Sequence, residues 1–125
     1  MRIAIGLSAM LLALTASAAV AQPAMEADSS MGSILVDHNG MTLYTFDKDE
    51  AGVSNCYDQC AANWPPLMAE DGAAAEGDWT IVERTDGSKQ WAYKGEPLYL
   101  WVQDTAAGDV TGEGKGDNTW HVAVP

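Results

Sequence analysis

Short β-rich runs separated by glycine turns set the pattern of this chain. Ser33 to Asp37 and Met41 to Phe46 flank the pair Asn39-Gly40. Asn-Gly between two such runs marks a hairpin, because both residues of its tightest turn must accept positive φ. Further on, Trp79 to Glu83, Gln90 to Tyr93 and Leu98 to Val102 are punctuated by Asp86-Gly87 and Lys94-Gly95, which predicts a three-stranded meander. A last strand is expected at Thr119 to Val124. Residues 70–78, EDGAAAEGD, have little to bury and read as a linker. Residues 22–32 are expected to be a disordered N-terminal stretch, since Glu26 to Ser30 are polar and show no period.

The first 21 residues have a different character. Met1-Arg2 gives a short basic start, an apolar run follows, and Ala19-Val20-Ala21 has the small-x-small pattern read by signal peptidase. No charged stop-transfer flank follows the run. Residues 1–21 are therefore expected to be a cleaved export signal, with Gln22 as the first mature residue. No cysteine stands at that point to carry a lipid, so no stable membrane anchor is expected after cleavage.

The two halves of the remaining chain align at a fixed offset. Gly40 falls on Gly95, Leu43 on Leu98, Tyr44 on Tyr99, Phe46 on Trp101 and Asp49 on Asp104, with Trp64 and Trp120 at nearly the same distance. An internal repeat of this kind makes each half one hairpin-based unit, too small to be stable alone. Strand alternation then directs Tyr44 and Phe46 to one face and Leu43 and Thr45 to the other. Tyr99 and Trp101 likewise oppose Leu98, Leu100 and Val102, so both faces of the second copy are apolar and a strand buried on both sides is expected.

Two readings of Tyr44, Phe46, Asp49, Tyr99, Trp101 and Asp104 follow. They are a repeated core device, with each Asp accepting a bond from a buried polar tip or capping the next turn. Or they are aromatic platforms with acids beside them, for a sugar or another ring. Buried aromatics are common and exposed pairs are not, which favours the core.

These residues resemble a bacterial secreted-repeat or predicted-lipoprotein family described by a Y-x-(F/W/Y)-x-x-D motif. Both copies match it, as Tyr44-Thr45-Phe46-x-x-Asp49 and Tyr99-Leu100-Trp101-x-x-Asp104, and so do residues 56–67, CYDQCAANWPPL, and the stretch from Gly108 to Val122. The resemblance spans almost all of the mature chain. It implies an exported domain of two tandem units, and it implies no activity. Many relatives look lipid-anchored through a cysteine after the signal, and this chain has none there.

Cys56 and Cys60 are the two cysteines. An even count in an exported protein favours a disulfide. On a regular helix, i and i+4 Cβ atoms stand roughly 5–6 Å apart, whereas a bridge wants roughly 3.5–4.5 Å. A bridge therefore requires a distorted turn. The other reading is a soft metal site for copper, with His38 or His121 as a further ligand. No Gly-x-Ser-x-Gly elbow or His-Glu-x-x-His motif is present, and no nucleophile–base pair can be named. Residues 108–118, GDVTGEGKGDN, lack a terminal Gly-Lys-Ser/Thr, and their acids Asp109, Glu113 and Asp117 do not follow the spacing of an EF-hand loop. A flexible acidic loop is expected there.

Charge narrows the partners. The formal net charge is −12, and loss of residues 1–21 removes one base and no acid. Nucleic acid, whose phosphates reward Lys and Arg, is excluded as a partner. The sequence thus predicts an all-β fold. It is a small single domain over 33–125, with hairpin-based units at 33–69 and 79–125 on a shared aromatic core and a short helical or turn segment around Cys56–Cys60. The expected role is non-enzymatic binding or structural support in the periplasm or outside the cell, with no cofactor and with a cell-envelope or small-molecule partner. The alternative is an extracytoplasmic copper or redox protein using Cys56, Cys60 and a histidine.

Overall fold

The Asn39-Gly40 turn forms, with one residue more than the tightest hairpin. The Asp37 N–H donates to the Met41 carbonyl at 2.8 Å and the Gly40 N–H to the Asp37 carbonyl at 3.0 Å. Gly40 alone takes positive φ there, at 82°. The Asp37 carboxylate fills the inside of the loop, accepting the N–H groups of Asn39 and Met41. The result is a three-residue loop closed by a left-handed glycine.

The computed structural model describes residues 22–125, and the expected export signal at 1–21 lies outside them. In chain order the elements are β1 (Met25–Ser29), β2 (Gly32–Val36), β3 (Tyr44–Phe46), α1 (Gln59–Asn63), β4 (Trp79–Glu83), β5 (Lys89–Tyr93), β6 (Glu96–Pro97), α2 (Lys115–Asn118) and β7 (Trp120–Val122). The fold is all-β, as the sequence predicts; α1 is the short helical segment expected around Cys56–Cys60, whereas α2 falls in the stretch expected to be a flexible loop.

Two expectations need correction. The stretch 22–32 is not without structure, because β1 pairs antiparallel with β2 from Met25↔Val36 to Ser29↔Gly32. Its polarity reflects a solvent-facing strand in which only Ala27 packs on the core. The third meander strand is also not Leu98 to Val102. Strand pairing with β5 ends at Pro97, the Leu98 N–H makes one last bond to the Trp91 carbonyl at 3.0 Å, and the chain then leaves that partner for two others. Val102 lies in a turn and is half-exposed.

Those other partners define the architecture. Tyr44 and Tyr99 face each other antiparallel, each N–H donating to the other's carbonyl at 2.8 and 2.9 Å. On its outer side Tyr44 opposes Val122, two residues past Trp120. Tyr99 opposes Pro66, two residues past Trp64. The order across the molecule is thus Pro66, Tyr99, Tyr44, Val122, and exchanging the units maps it onto itself. The hydrogen bonds obey the same exchange. Leu35 N–H to Ala123 O at 2.9 Å answers to Trp91 N–H to Leu67 O at 2.8 Å, and Ala123 N–H to Leu43 O to Leu67 N–H to Leu98 O. Each motif strand is completed by the opposite half of the chain.

Alternation divides the buried residues into two layers. Tyr44, Tyr99, Ile34, Val36, Trp64, Trp120, Val122 and Cys56 form an aromatic layer. Leu43, Leu98, Leu35, Ala123, Trp79 and Ala24 form a second one. Tyr44, Tyr99, Leu43 and Leu98 are all fully buried, so the centre of the sheet is covered on both faces. Burying a large apolar side chain contributes about 1.5–3 kcal/mol.

Candidate functional site

Tyr44 on β3 and Tyr99, bridged to it just past β6, are the two inner positions of that order, so their hydroxyls lie inside the domain and need partners. Each finds the aspartate of the other unit. The Tyr44 hydroxyl donates to Asp104 Oδ2 at 2.5 Å and the Tyr99 hydroxyl to Asp49 Oδ2 at 2.5 Å. The second oxygen of each acid then secures the loop that follows it. Asp104 Oδ1 accepts the Thr111 N–H at 3.1 Å and its hydroxyl at 2.5 Å, and Asp49 Oδ1 accepts the Asn55 N–H at 2.7 Å. The motif spells one crossed lock, written twice.

The remaining motif aromatics complete a stack across the units. Phe46 lies on Trp120 with centroids 4.1 Å apart, Trp120 on Trp64 at 3.9 Å, and Trp64 on Trp101 at 4.0 Å. The tyrosines meet this stack edge-on, Tyr44 against Trp64 at 5.2 Å and Tyr99 against Trp120 at 5.1 Å. Such pairs contribute about 0.5–1.5 kcal/mol each beyond their burial. Trp101 departs from the expectation of a satisfied polar tip, since its Nε1 is buried without a hydrogen-bond partner.

Burial, reinforced by the neighbouring carboxylate, pushes both phenols well above the usual tyrosine range. They are donors, not bases, at any physiological pH. Burial also raises the Asp49 carboxyl, against the pull of the Tyr99 hydroxyl, the Asn55 N–H and the Arg84 charge.

Arg84, Ser54 and Gln90 were not singled out by sequence reasoning, and they extend the lock on one side. The buried Arg84 guanidinium donates to Ser54 Oγ at 3.0 Å, Gln90 Oε1 at 2.8 Å and the Cys56 carbonyl at 2.6 Å, and it lies 4.3 Å over the Tyr57 ring. Ser54 Oγ in turn meets the Tyr99 hydroxyl at 2.6 Å. The only hint in the sequence is the scarcity of cations, with six Lys and Arg in the whole chain.

Cys56 and Cys60 are joined by a disulfide, with Cα atoms 5.2 Å apart. The distortion that the spacing demands is present: Asp58, between them, has φ 55° and α1 begins only at Gln59. The second unit has glycines in place of the cysteines and a different turn, with Gly114, Gly116, Asp117 and Asn118 at positive φ. Gly112 and Gly116 stand at the corresponding spacing before Trp120. A Cβ on Gly112 would lie 2.8 Å from the Trp64 and Tyr44 rings. The loop expected to be flexible is pinned at this glycine, whose N–H donates to the Tyr44 hydroxyl at 3.2 Å.

The histidines do not join the cysteines. His38 Nε2 contacts the Gln22 carbonyl at 2.6 Å. His121 is held between two acids, Nε2 to Asp47 at 2.9 Å and Nδ1 to Glu113 at 3.1 Å. Partial burial lowers its pKa, but these two carboxylates outweigh that and raise it above the usual histidine value. Among the described residues, no three His, Cys, Asp or Glu side chains are grouped as a metal ion would require.

A family model described as a secreted repeat of unknown function matches residues 26–68 and again 80–124. The chain belongs to this family. The two matched copies are the two units whose strands and carboxylates cross over, so the secreted repeat is a half-domain that is completed by its neighbour. As a member of the secreted-repeat family the protein is exported. No curated protein matches it, and no solved structure does. Among the described residues no helix is long and apolar enough to cross a membrane.

Proposed function

We propose that this secreted-repeat protein is a non-enzymatic binding domain, periplasmic or secreted, in which the motif is the scaffold and the ligand is met elsewhere. One observation carries the reading: the hydroxyls of Tyr44 and Tyr99 and the carboxylates of Asp104 and Asp49 are spent on each other inside the core. A ligand would have to break two charge-assisted hydrogen bonds to reach them. The same commitment argues against catalysis, which needs a nucleophile and a base free to face a substrate. Ser54 is buried against Arg84 and Tyr99, and both ring nitrogens of His121 are engaged. The strong negative charge keeps the domain soluble and turns away anionic partners.

The test uses exported protein and its Asp49→Asn and Asp104→Asn variants. Each substitution should lower the melting temperature by several degrees, and chromogenic esters, phosphoesters, glycosides and peptides should not be turned over. Unchanged melting of both variants would return the motif to the surface as a ligand site. Turnover abolished by Ser54→Ala or His121→Gln would make the protein an enzyme.

A further inference from the structure

We propose that the cavity beside the β4–β5 hairpin binds a small organic cation carrying a quaternary ammonium group; the inference rests on reading the protein as a binding domain. The cavity has a volume of about 500 Å³, within the usual range for small-molecule sites. It lies away from the crossed lock, and none of its lining residues belongs to the motif.

Its walls follow from strand register. Trp79 opposes Tyr93 and Ile81 opposes Trp91, so Trp79, Trp91 and Tyr93 stand on one face of the hairpin. All three residues line the cavity. Their rings do not lie flat on each other. Trp79 is tilted 46° from Tyr93 at 4.8 Å and 88° from Trp91 at 6.4 Å. Rings set at steep angles can turn their negative faces toward one guest from different directions, as an aromatic cage does. Tyr93 already carries one cation, with the Lys94 ammonium 5.1 Å from its centroid.

The charged side chains that line the cavity itself are of one sign. Glu26, Glu76 and Asp78 line the cavity, and no Lys, Arg or His does. Glu76 and Asp78 are brought to Trp79 by a tight turn, in which the Glu76 N–H donates to the Trp79 carbonyl at 2.8 Å and the Trp79 N–H to the Glu76 carbonyl at 2.9 Å. Among the described residues the ion pairs both belong to His121, so no Lys, Arg or His side chain pairs with these three carboxylates. An anion is repelled here. A neutral sugar can donate its hydroxyls to these carboxylates, but it gains nothing from their net charge. A quaternary ammonium needs no hydrogen-bond acceptor. It is attracted to ring faces and to nearby negative charge together.

The experiment titrates exported protein with choline chloride and, separately, with 3,3-dimethylbutan-1-ol, its uncharged carbon isostere, by calorimetry and tryptophan fluorescence. Saturable one-to-one choline binding is expected, at least about tenfold tighter than the isostere, the margin that one desolvated cation–π contact supplies. Trp91→Ala should weaken it by a similar factor. Because Trp91 also packs on the core, the exposed double variant Glu76→Gln/Asp78→Asn is the control that leaves the fold alone, and it should weaken choline several-fold. Equal binding of choline and the isostere would overturn the cation while leaving a binding domain with an apolar site. Binding of neither up to tens of millimolar, or choline binding unmoved by the double variant, would overturn the site, without touching the scaffold role of the motif.

Discussion

Tyr44→Phe removes a single hydroxyl and nothing else, which makes the crossed lock measurable. That hydroxyl donates to Asp104 at 2.5 Å and accepts from the Gly112 N–H at 3.2 Å. A hydrogen bond to a charged group contributes roughly 1.5–3 kcal/mol, and a buried N–H left without an acceptor costs about 1 kcal/mol or more. Asp104 keeps its two bonds from Thr111, so no stranded charge adds to the loss. The sum is about 2–4 kcal/mol, or a fall in Tm on the order of 10–20 °C for a domain of this size. Urea unfolding of Tyr44→Phe, Asp104→Asn and the double variant gives the coupling, expected at roughly 0.5–3 kcal/mol for groups in direct contact. The cycle with Asp49→Asn, the aspartate of the same motif copy, should be additive within about 0.5 kcal/mol, because Tyr44 and Asp49 share no side-chain partner. Coupling to Asp49 and not to Asp104 would refute the crossed arrangement.

Three further outcomes are expected. Gly112→Ala should destabilise by about 1–3 kcal/mol, as overpacking does, because its Cβ would press on Trp64 and Tyr44; a wild-type urea midpoint would mean that the loop moves aside. His121 has a raised pKa, so its contribution to stability is fully present below the ordinary value of 6.5 and is lost as pH rises through the higher folded value; Tm against pH for wild type and His121→Gln should diverge on the acid side and converge on the alkaline side, and parallel curves would show no linkage. Intact mass of exported protein under non-reducing conditions should start at Gln22, with no acyl group and no free thiol; retention of Met1 or alkylation of Cys56 would contradict this.

Much of the lock was legible in the sequence, and its wiring was not. The repeat offset identified Tyr44, Asp49, Tyr99 and Asp104 as equivalent pairs, and alternation placed Tyr44 and Leu43 in opposite layers, where they lie. Which aspartate meets which tyrosine is a matter of strands 50 to 60 residues apart in the chain, and local spacing carries no record of it. The β1 strand was missed for a different reason. Met25 to Ser29 is polar because solvent covers one side of it, and composition alone reads such a run as disorder. Carrying the offset of 55 back from Trp79–Glu83 falls on residues 24–28, so the repeat itself held the signal. Arg84 left no trace of this kind, having no counterpart in the first unit, where Ser29 occupies its place by the same offset. The cavity escaped notice because its rings were legible only as alternate residues of a strand, while its acids came from a stretch read as a linker.

The crossing of the units has a consequence at the level of mass action. Nothing in the lock distinguishes a second unit on the same chain from a second unit on another molecule, since the contacts are identical. What selects the intramolecular partner is effective concentration, set by the nine residues 70–78, which keep the halves at roughly millimolar local concentration. Shortening this segment until it no longer spans the gap would leave every core residue intact and yet make the protein exchange halves with a neighbour as a domain-swapped dimer. The acidic segment between the repeats is thereby the determinant of molecularity in this protein.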